Sequence, residues 1–239
     1  MAATIQRLVV SVGTGKRTDR GKPEETRLLG EDFELKLARM VSSFEEHGAD
    51  VYPFNCLPPG CPPHSQVPYA FKIYAIEEAL RQYKPETIIW ADSACVAVAA
   101  LEPLWEHIER EGYWFPDNFG WNCGQWTSDF ALAPLEITRD QAFGIPQVAA
   151  AAYGLSFKSR KGQQFFRKLA RLARNGSFCG PWVNDRGQAS SDSRVLGHRH
   201  DQTACSVLAW RLGMKLTPQP KFFADNYKRG SETILEVWR

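Results

Sequence analysis

The sequence predicts an α/β fold: a single domain built on a mostly parallel, twisted sheet with flanking helices. Three observations predict it. Short apolar, β-branched runs alternate with longer segments at helical spacing, the pattern of strands joined by right-handed crossovers. The 239 residues fill one α/β core and fall short of two independent domains. With 44% hydrophobic and 23% charged residues, the composition suits a globular protein and excludes global disorder.

The elements follow in order. "RLVVSVG", residues 7 to 13, is an apolar run closed by glycine and reads as a buried strand. "GTGKRTDRGKPEE" is then a mobile, polar loop. Over residues 31 to 47, Phe33, Leu35, Leu37, Met40, Val41 and Phe44 recur at roughly helical spacing, and "ADVYPFN" follows as a second strand. The proline-rich "LPPGCPPHSQVP" cannot be regular structure, because proline fixes φ and removes a donor, so it forms a stiff surface loop. Residues 69 to 83 make an amphipathic helix with Phe71, Ile73, Ile76 and Leu80 inward. "ETIIWADSACVAV" is an apolar strand carrying Asp92 where a buried parallel strand reaches the sheet edge. "LEPLWEHIEREG" is a helix closed by Gly112.

From residue 113 the texture changes. "YWFPDNFGWNCGQWTSD" mixes aromatics, glycines and amides, as the wall of a pocket would. "GIPQVAAAAYGLSF" is expected to supply a strand or helix–strand element of the core, and "KGQQFFRKLARLARNG" a helix ended by Asn175-Gly176. A loop, a helix over about 202 to 212 and a final strand "TILEVW" complete the chain.

The formal net charge of +2 lacks the basic balance of a protein whose affinity comes mainly from neutralising phosphates. The six cysteines are scattered without a C-x-x-C pair, which argues against a zinc site; Cys95 and Cys205 lie in apolar segments and read as buried thiols. Neither a signal-peptide pattern nor an apolar run of membrane-spanning length occurs, so a cytoplasmic location with reduced thiols is expected.

Ligands of open α/β sheets bind beyond the carboxyl ends of the strands, which places Asp92 at a ligand. A carboxylate there holds a divalent cation that neutralises a diphosphate, or simply caps the turn that follows. In "GQWTSD", Trp126 offers a flat face and Asp129 an acceptor for hydroxyls; the same residues suit a helix cap beside a core tryptophan. In "HRHDQTACSVLAWRLG", Asp201 has the signature of an N-cap, and the helix dipole would keep it ionised. His198 and His200 alternate, so one faces the site, and His200 is the choice for a metal or phosphate contact.

Lys158, Arg160, Lys161, Arg167, Lys168, Arg171 and Arg174 follow one another with no acidic residue between them. Phe165, Leu169 and Leu172 define the inner stripe of that helix and leave Arg167, Arg171 and Arg174 outside. This is either a solvated face or a phosphate-tracking surface for a polyanionic acceptor, such as DNA with a modified base or a lipid-linked acceptor on an anionic membrane.

Taken in order, "FKIYAIEEAL", "IIWADS", "GYWFPDNFGWNCGQWTSD", "IPQVAAAAYGL" and "HRHDQTACSVLAWRLG" resemble sugar-nucleotide-dependent glycosyltransferases of the GT-A fold, in particular families with a "WxDS" element and a late "HRHDQ" element. The resemblance covers about residues 7 to 213 and implies a nucleotide-binding half, 7 to 112, and an acceptor and catalytic half, 113 to 239. It implies a nucleotide-sugar donor, with Gly13, Thr14 and Gly15 cradling the nucleotide, Lys72 meeting its phosphates, and Asp92 with Ser93 at the donor. Asp201 and Gln202 would serve the donor sugar catalytically, by stabilising oxocarbenium charge, acting as a base or holding hydroxyls. The usual D-x-D motif reads Asp92-Ser93-Ala94 here, so Asp92 binds magnesium or manganese through one carboxylate and waters, or binds the donor ribose instead. By itself Lys72 also reads as a solvated helix residue lying past Phe71. A non-catalytic nucleotide- or nucleic-acid-binding module, and a nucleotidyltransferase, share the same sheet logic.

Overall fold

The computed structural model describes residues 5–14, 32–225 and 229–238, so the polar loop expected over residues 13 to 25 lies outside the described residues from 15 onward. Along the chain run β1 (Arg7–Val12), α1 (Phe33–Glu46), β2 (Val51–Phe54), α2 (Phe71–Tyr83), β3 (Thr87–Ala91) and β4 (Cys95–Ala97). Next come α3 (Glu102–Glu111), β5 (Tyr113–Trp114), β6 (Asp117–Asn122), α4 (Asp129–Leu135), α5 (Arg139–Phe143) and β7 (Pro146–Val148). The last elements are β8 (Ala152–Ser156), α6 (Arg160–Leu172), α7 (His200–Arg211), β9 (Phe222–Ala224) and β10 (Thr233–Val237).

The apolar runs assemble a five-stranded sheet in the order β2-β1-β3-β8-β5. β1 pairs in parallel with β2 and β3, while β8 runs antiparallel to both β3 and β5. Only β8 reverses, so the sheet is mostly parallel, as expected. Alternation along the strands feeds two cores. Leu8, Val10, Ile88 and Trp90 meet Ile73 and Ile76 of α2, Phe165 and Leu169 of α6, and Ala204 and Leu208 of α7. Val9 and Ile89 meet Met40 and Phe44 of α1 and Leu104 and Ile108 of α3 on the other face. Each such fully buried Val, Leu, Ile, Phe or Met side chain contributes about 1.5–3 kcal/mol by leaving water. Helices therefore cover both faces of the sheet.

Two segments divide differently from their reading as one strand and as a strand or helix–strand element. "ETIIWADSACVAV" breaks at Asp92–Ala94: β4 leaves the main sheet and pairs antiparallel with β10, Ala97 against Leu235. "GIPQVAAAAYGLSF" likewise holds two strands, β7 paired with β6 and β8 in the central sheet. Both breaks come together in space. Because β8 is antiparallel, its first residue, Ala152, lies opposite Ala91, and the Asp92 N–H donates to Ala151 O at 2.7 Å. The gap in each apolar run is thus one place, the carboxyl end of β3.

Local rules hold at the helix ends. The Asp32 carboxylate accepts from the N–H groups of Glu34 and Leu35 and starts α1. Gly112, at φ +87°, closes α3 in the left-handed conformation. Among the described residues no helix is long and apolar enough to cross a membrane.

Candidate active site

Lys72 stands in the first turn of α2, on the side that packs over β3, and is 2% exposed. Its Nζ lies 2.9 Å from Asp92 Oδ1 and 2.9 Å from Asp201 Oδ2, and donates to Ala150 O at 2.9 Å. Three oxygens thus surround a group with three protons. Asp92 Oδ1 also accepts from Trp90 Nε1 at 2.8 Å. Burial works against the charge of Lys72, but the attraction of Asp201 and then Asp92 outweighs it and holds the ammonium well above the usual lysine range. Burial pushes both carboxyls upward, with Lys72 pulling the other way. The reading of Lys72 as a solvated residue is therefore corrected: its stem is enclosed by core residues and its head by the cluster.

The cluster floors a cavity of about 160 Å3 that Asn118, Ala149, Gln202 and Asp225 also line. Another wall is aromatic. The Arg199 guanidinium lies 3.6 Å from the centre of the Trp126 ring and 3.9 Å from that of Trp182, and donates to Trp182 O at 2.9 Å. Burial lowers its pKa to about 10, which leaves it charged at neutral pH. Trp182 and Tyr69 line the same cavity.

Several expected residues arrive here and others do not. Asp92, Lys72 and the adjacent Asp201 and Gln202, from three distant parts of the sequence, line one cavity. Asp201 does not cap α7, however. Arg199 holds the N-cap position and His200 opens the helix, so Asp201 sits inside the first turn, 4% exposed, with its carboxylate against Lys72. His200 is not brought to the cavity. Its Nδ1 meets Phe178 O at 2.8 Å and so carries the proton, while the ring packs on Tyr69 and Trp182. Burial drives its pKa down to about 4 and that of His198 to about 3. Both rings are buried and neutral at pH 7, which departs from the expected alternation. Among the described residues no three His, Cys, Asp or Glu side chains gather as a metal group.

Asp129 lies outside the cavity. It begins α4 on the exposed side and pairs with Arg139 at 2.6 Å, an arginine that also ties down Gly124 O and Thr127 O. The structure therefore withdraws Asp129 from the catalytic group and gives it a surface ion pair. Trp126 offers Arg199, not a ligand, its face, and meets Trp121 edge-on at 5.3 Å. Gly13 is a packing glycine: a Cβ there would stand 2.5 Å from Phe33 O and 2.7 Å from Leu37 Cβ. Thr14 is exposed at the end of β1, Ser93 is buried beside Asp92, and Gly15 lies outside the described residues.

On α6, Phe165, Leu169 and Leu172 are buried, and Arg167, Lys168, Arg171 and Arg174 are exposed, as the spacing required. Two charges of the run are already paired. Arg174 reaches Glu77 at 2.6 Å and Lys158 reaches Glu86 at 2.6 Å. None of the run lines the cavity.

The sequence reading missed Tyr69, Asn118, Trp182, Arg199 and Asp225 at this site. Asp225 had a signal: "FFAD" ends β9 as "IIWAD" ends β3, an apolar strand closed by Ala-Asp. Arg199 sat within "HRHDQ" with no neighbour in sequence to reveal its two indoles.

No family model matches the chain. No curated protein matches it either. Among solved structures, the chain is similar to that of a glycosyltransferase involved in the glycosylation of the major capsid of PBCV-1, with a TM-score of 0.52 and 12% identity over 97% of this chain and 92% of that one. At that identity the likeness speaks for the fold alone. The chain therefore has a glycosyltransferase fold, as its resemblance to the GT-A enzymes implied.

Proposed function

We propose that the protein is a glycosyltransferase that moves a sugar from a nucleoside diphosphate donor to an acceptor hydroxyl. The observation that carries this reading is the Lys72–Asp92–Asp201 cluster at the carboxyl end of β3, where open α/β sheets take their ligands. Asp92 and Asp225 face the donor diphosphate. Asp201, in the first turn of α7, stabilises positive charge at the anomeric carbon, and Gln202 holds sugar hydroxyls. Lys72 fixes the two carboxylates in register, so no reorganisation is needed as charge develops.

A divalent cation fits this arrangement. Asp92 and Asp225 both line the cavity and offer carboxylate oxygens, the ligand type a hard cation takes. Magnesium needs only one or two protein carboxylates, with waters and substrate phosphate completing its shell. Asp92, whose side chain keeps 32% of its surface open, and Asp225 would hold it. Magnesium or manganese there would neutralise the departing diphosphate.

The test is a thermal-shift panel of nucleoside diphosphates and nucleotide sugars with and without magnesium or manganese, followed by donor hydrolysis. A stabilising ligand must raise the apparent melting temperature. Release of a nucleoside diphosphate supports the transferase. Binding without turnover of any donor points to a binding module instead, and release of pyrophosphate to a nucleotidyltransferase.

A second reading concerns the acceptor. Arg167, Lys168 and Arg171 are exposed on α6 and would track a polyanion such as DNA carrying a modified base. Duplex DNA whose affinity falls steeply with salt, and falls further in Arg167→Ala/Arg171→Ala, would support it.

A further inference from the structure

The two cations of the cavity differ in what surrounds them. Lys72 is closed in by two carboxylates and a carbonyl. Arg199 has no carboxylate partner among the described residues; its contacts are two indole faces, the Trp182 carbonyl, and its own N–H on Trp126 O. A guanidinium carries five donors in a flat fork that matches a carboxylate or phosphate bidentately, and only Nη1 is engaged, by Trp182 O. The indoles fix the plane of that fork and strip water from it, which strengthens its pull on an anion.

Trp126 and Trp182 hold Arg199 at the aromatic side of the cavity, whereas Lys72, Asp92 and Asp201 gather at the carboxyl end of β3. Both stacking partners come from the second half of the chain, on segments that also carry the exposed aromatic rim. Trp121 is 41% exposed beside Trp126, and Trp182 is 46% exposed. Trp121, whose ring does not stack on Arg199, offers a face of the kind that receives the C–H side of a sugar ring.

We infer that Arg199 is the anion-reading group of the acceptor site, and that the acceptor is an acidic saccharide bearing a carboxylate or phosphate within reach of its reacting hydroxyl. This rests on the transferase reading for the word acceptor. The binding itself does not.

Equilibrium binding of glucuronic acid, glucose 6-phosphate, glucose and UDP to wild type, Arg199→Gln and Arg199→Lys tests it, with circular dichroism as the folding check. Wild type is expected to hold at least one acidic sugar about tenfold more tightly than glucose, and Arg199→Gln to bring that sugar down to the level of glucose while UDP is unchanged. Arg199→Lys, which keeps the charge and loses the fork, falls between them and serves if the glutamine variant does not fold. Preference for glucuronic acid alone assigns a carboxylate, and for the phosphate ester alone a phosphate. Equal affinity of wild type for glucose and both acids overturns the inference, and so does a loss confined to UDP, which would give Arg199 to the donor. Absence of donor turnover with these binding differences intact would instead sink the transferase reading.

Discussion

Two cations share one cavity and are held in opposite ways. Lys72 is locked among oxygens at the end of β3, and Arg199 is clamped between aromatic faces at the start of α7. The first arrangement neutralises the charge within the protein; the second presents it. Pairing, more than charge itself, separates a positioning group from one addressed to a ligand. Arg167 and Arg171 of α6 form a third case, since both are exposed and neither is enclosed by the fold.

The comparison breaks most sharply at Lys72. Lys72→Met leaves Asp92 and Asp201 facing each other without a cation, and removing one partner of a buried pair costs about 3–5 kcal/mol. Urea unfolding should show that loss, and an unchanged midpoint would mean the cluster carries no such coupling. Asp92→Asn keeps the shape and one hydrogen-bonding oxygen while removing a charge. It should fold, and donor turnover should drop by about a hundredfold or more, the scale of losing an electrostatic group at the reacting centre. Retained turnover would remove Asp92 from the chemistry.

The aromatic side is sharpened by pH. Burial holds His200 at about 4 and His198 at about 3, below the ordinary 6.5 of the unfolded chain. Between those values the unfolded state binds more protons, so stability is full above pH 6.5 and is lost as the pH falls toward 4 and then 3. Down to pH 4 the loss should reach on the order of 3 kcal/mol per ring. Denaturation midpoints from pH 7 to 4 measure it, and His200→Asn should flatten the slope; a slope unchanged in that variant would exclude His200 as its source. The smallest effect belongs to Asp129→Ala. Its carboxylate is half exposed against Arg139, so the pair is worth about 0–1 kcal/mol, and turnover should not change. A large loss of turnover would return Asp129 to the site.

Much of this site was legible because it follows local rules. Asp92 closes an apolar strand, so the general placement of ligands in α/β sheets found it without any contact information, while Asp201 and Gln202 came from the resemblance to the GT-A enzymes. Asp129 met a local rule as well, at the start of α4, yet that helix begins facing solvent. An acidic residue at a helix start looks the same in sequence whichever way the helix points. Lys72 was ambiguous for the same reason, since a lysine after Phe71 suits a solvated face until α2 is laid over β3. The rest of the missing wall came from long-range packing: Trp126 and Trp182 reach Arg199 only in the folded chain.

What the sequence determined by itself is the principal strands and helices and the mostly parallel α/β class, because periods of two and of 3.6 residues are written in those segments. The tertiary structure alone decided the reversal of β8, the meeting of Asp92 with Ala151, the cation between two carboxylates and the arginine between two indoles. An apolar strand pattern reads alike in either direction, and a charge acquires its role from neighbours that only the closed fold supplies.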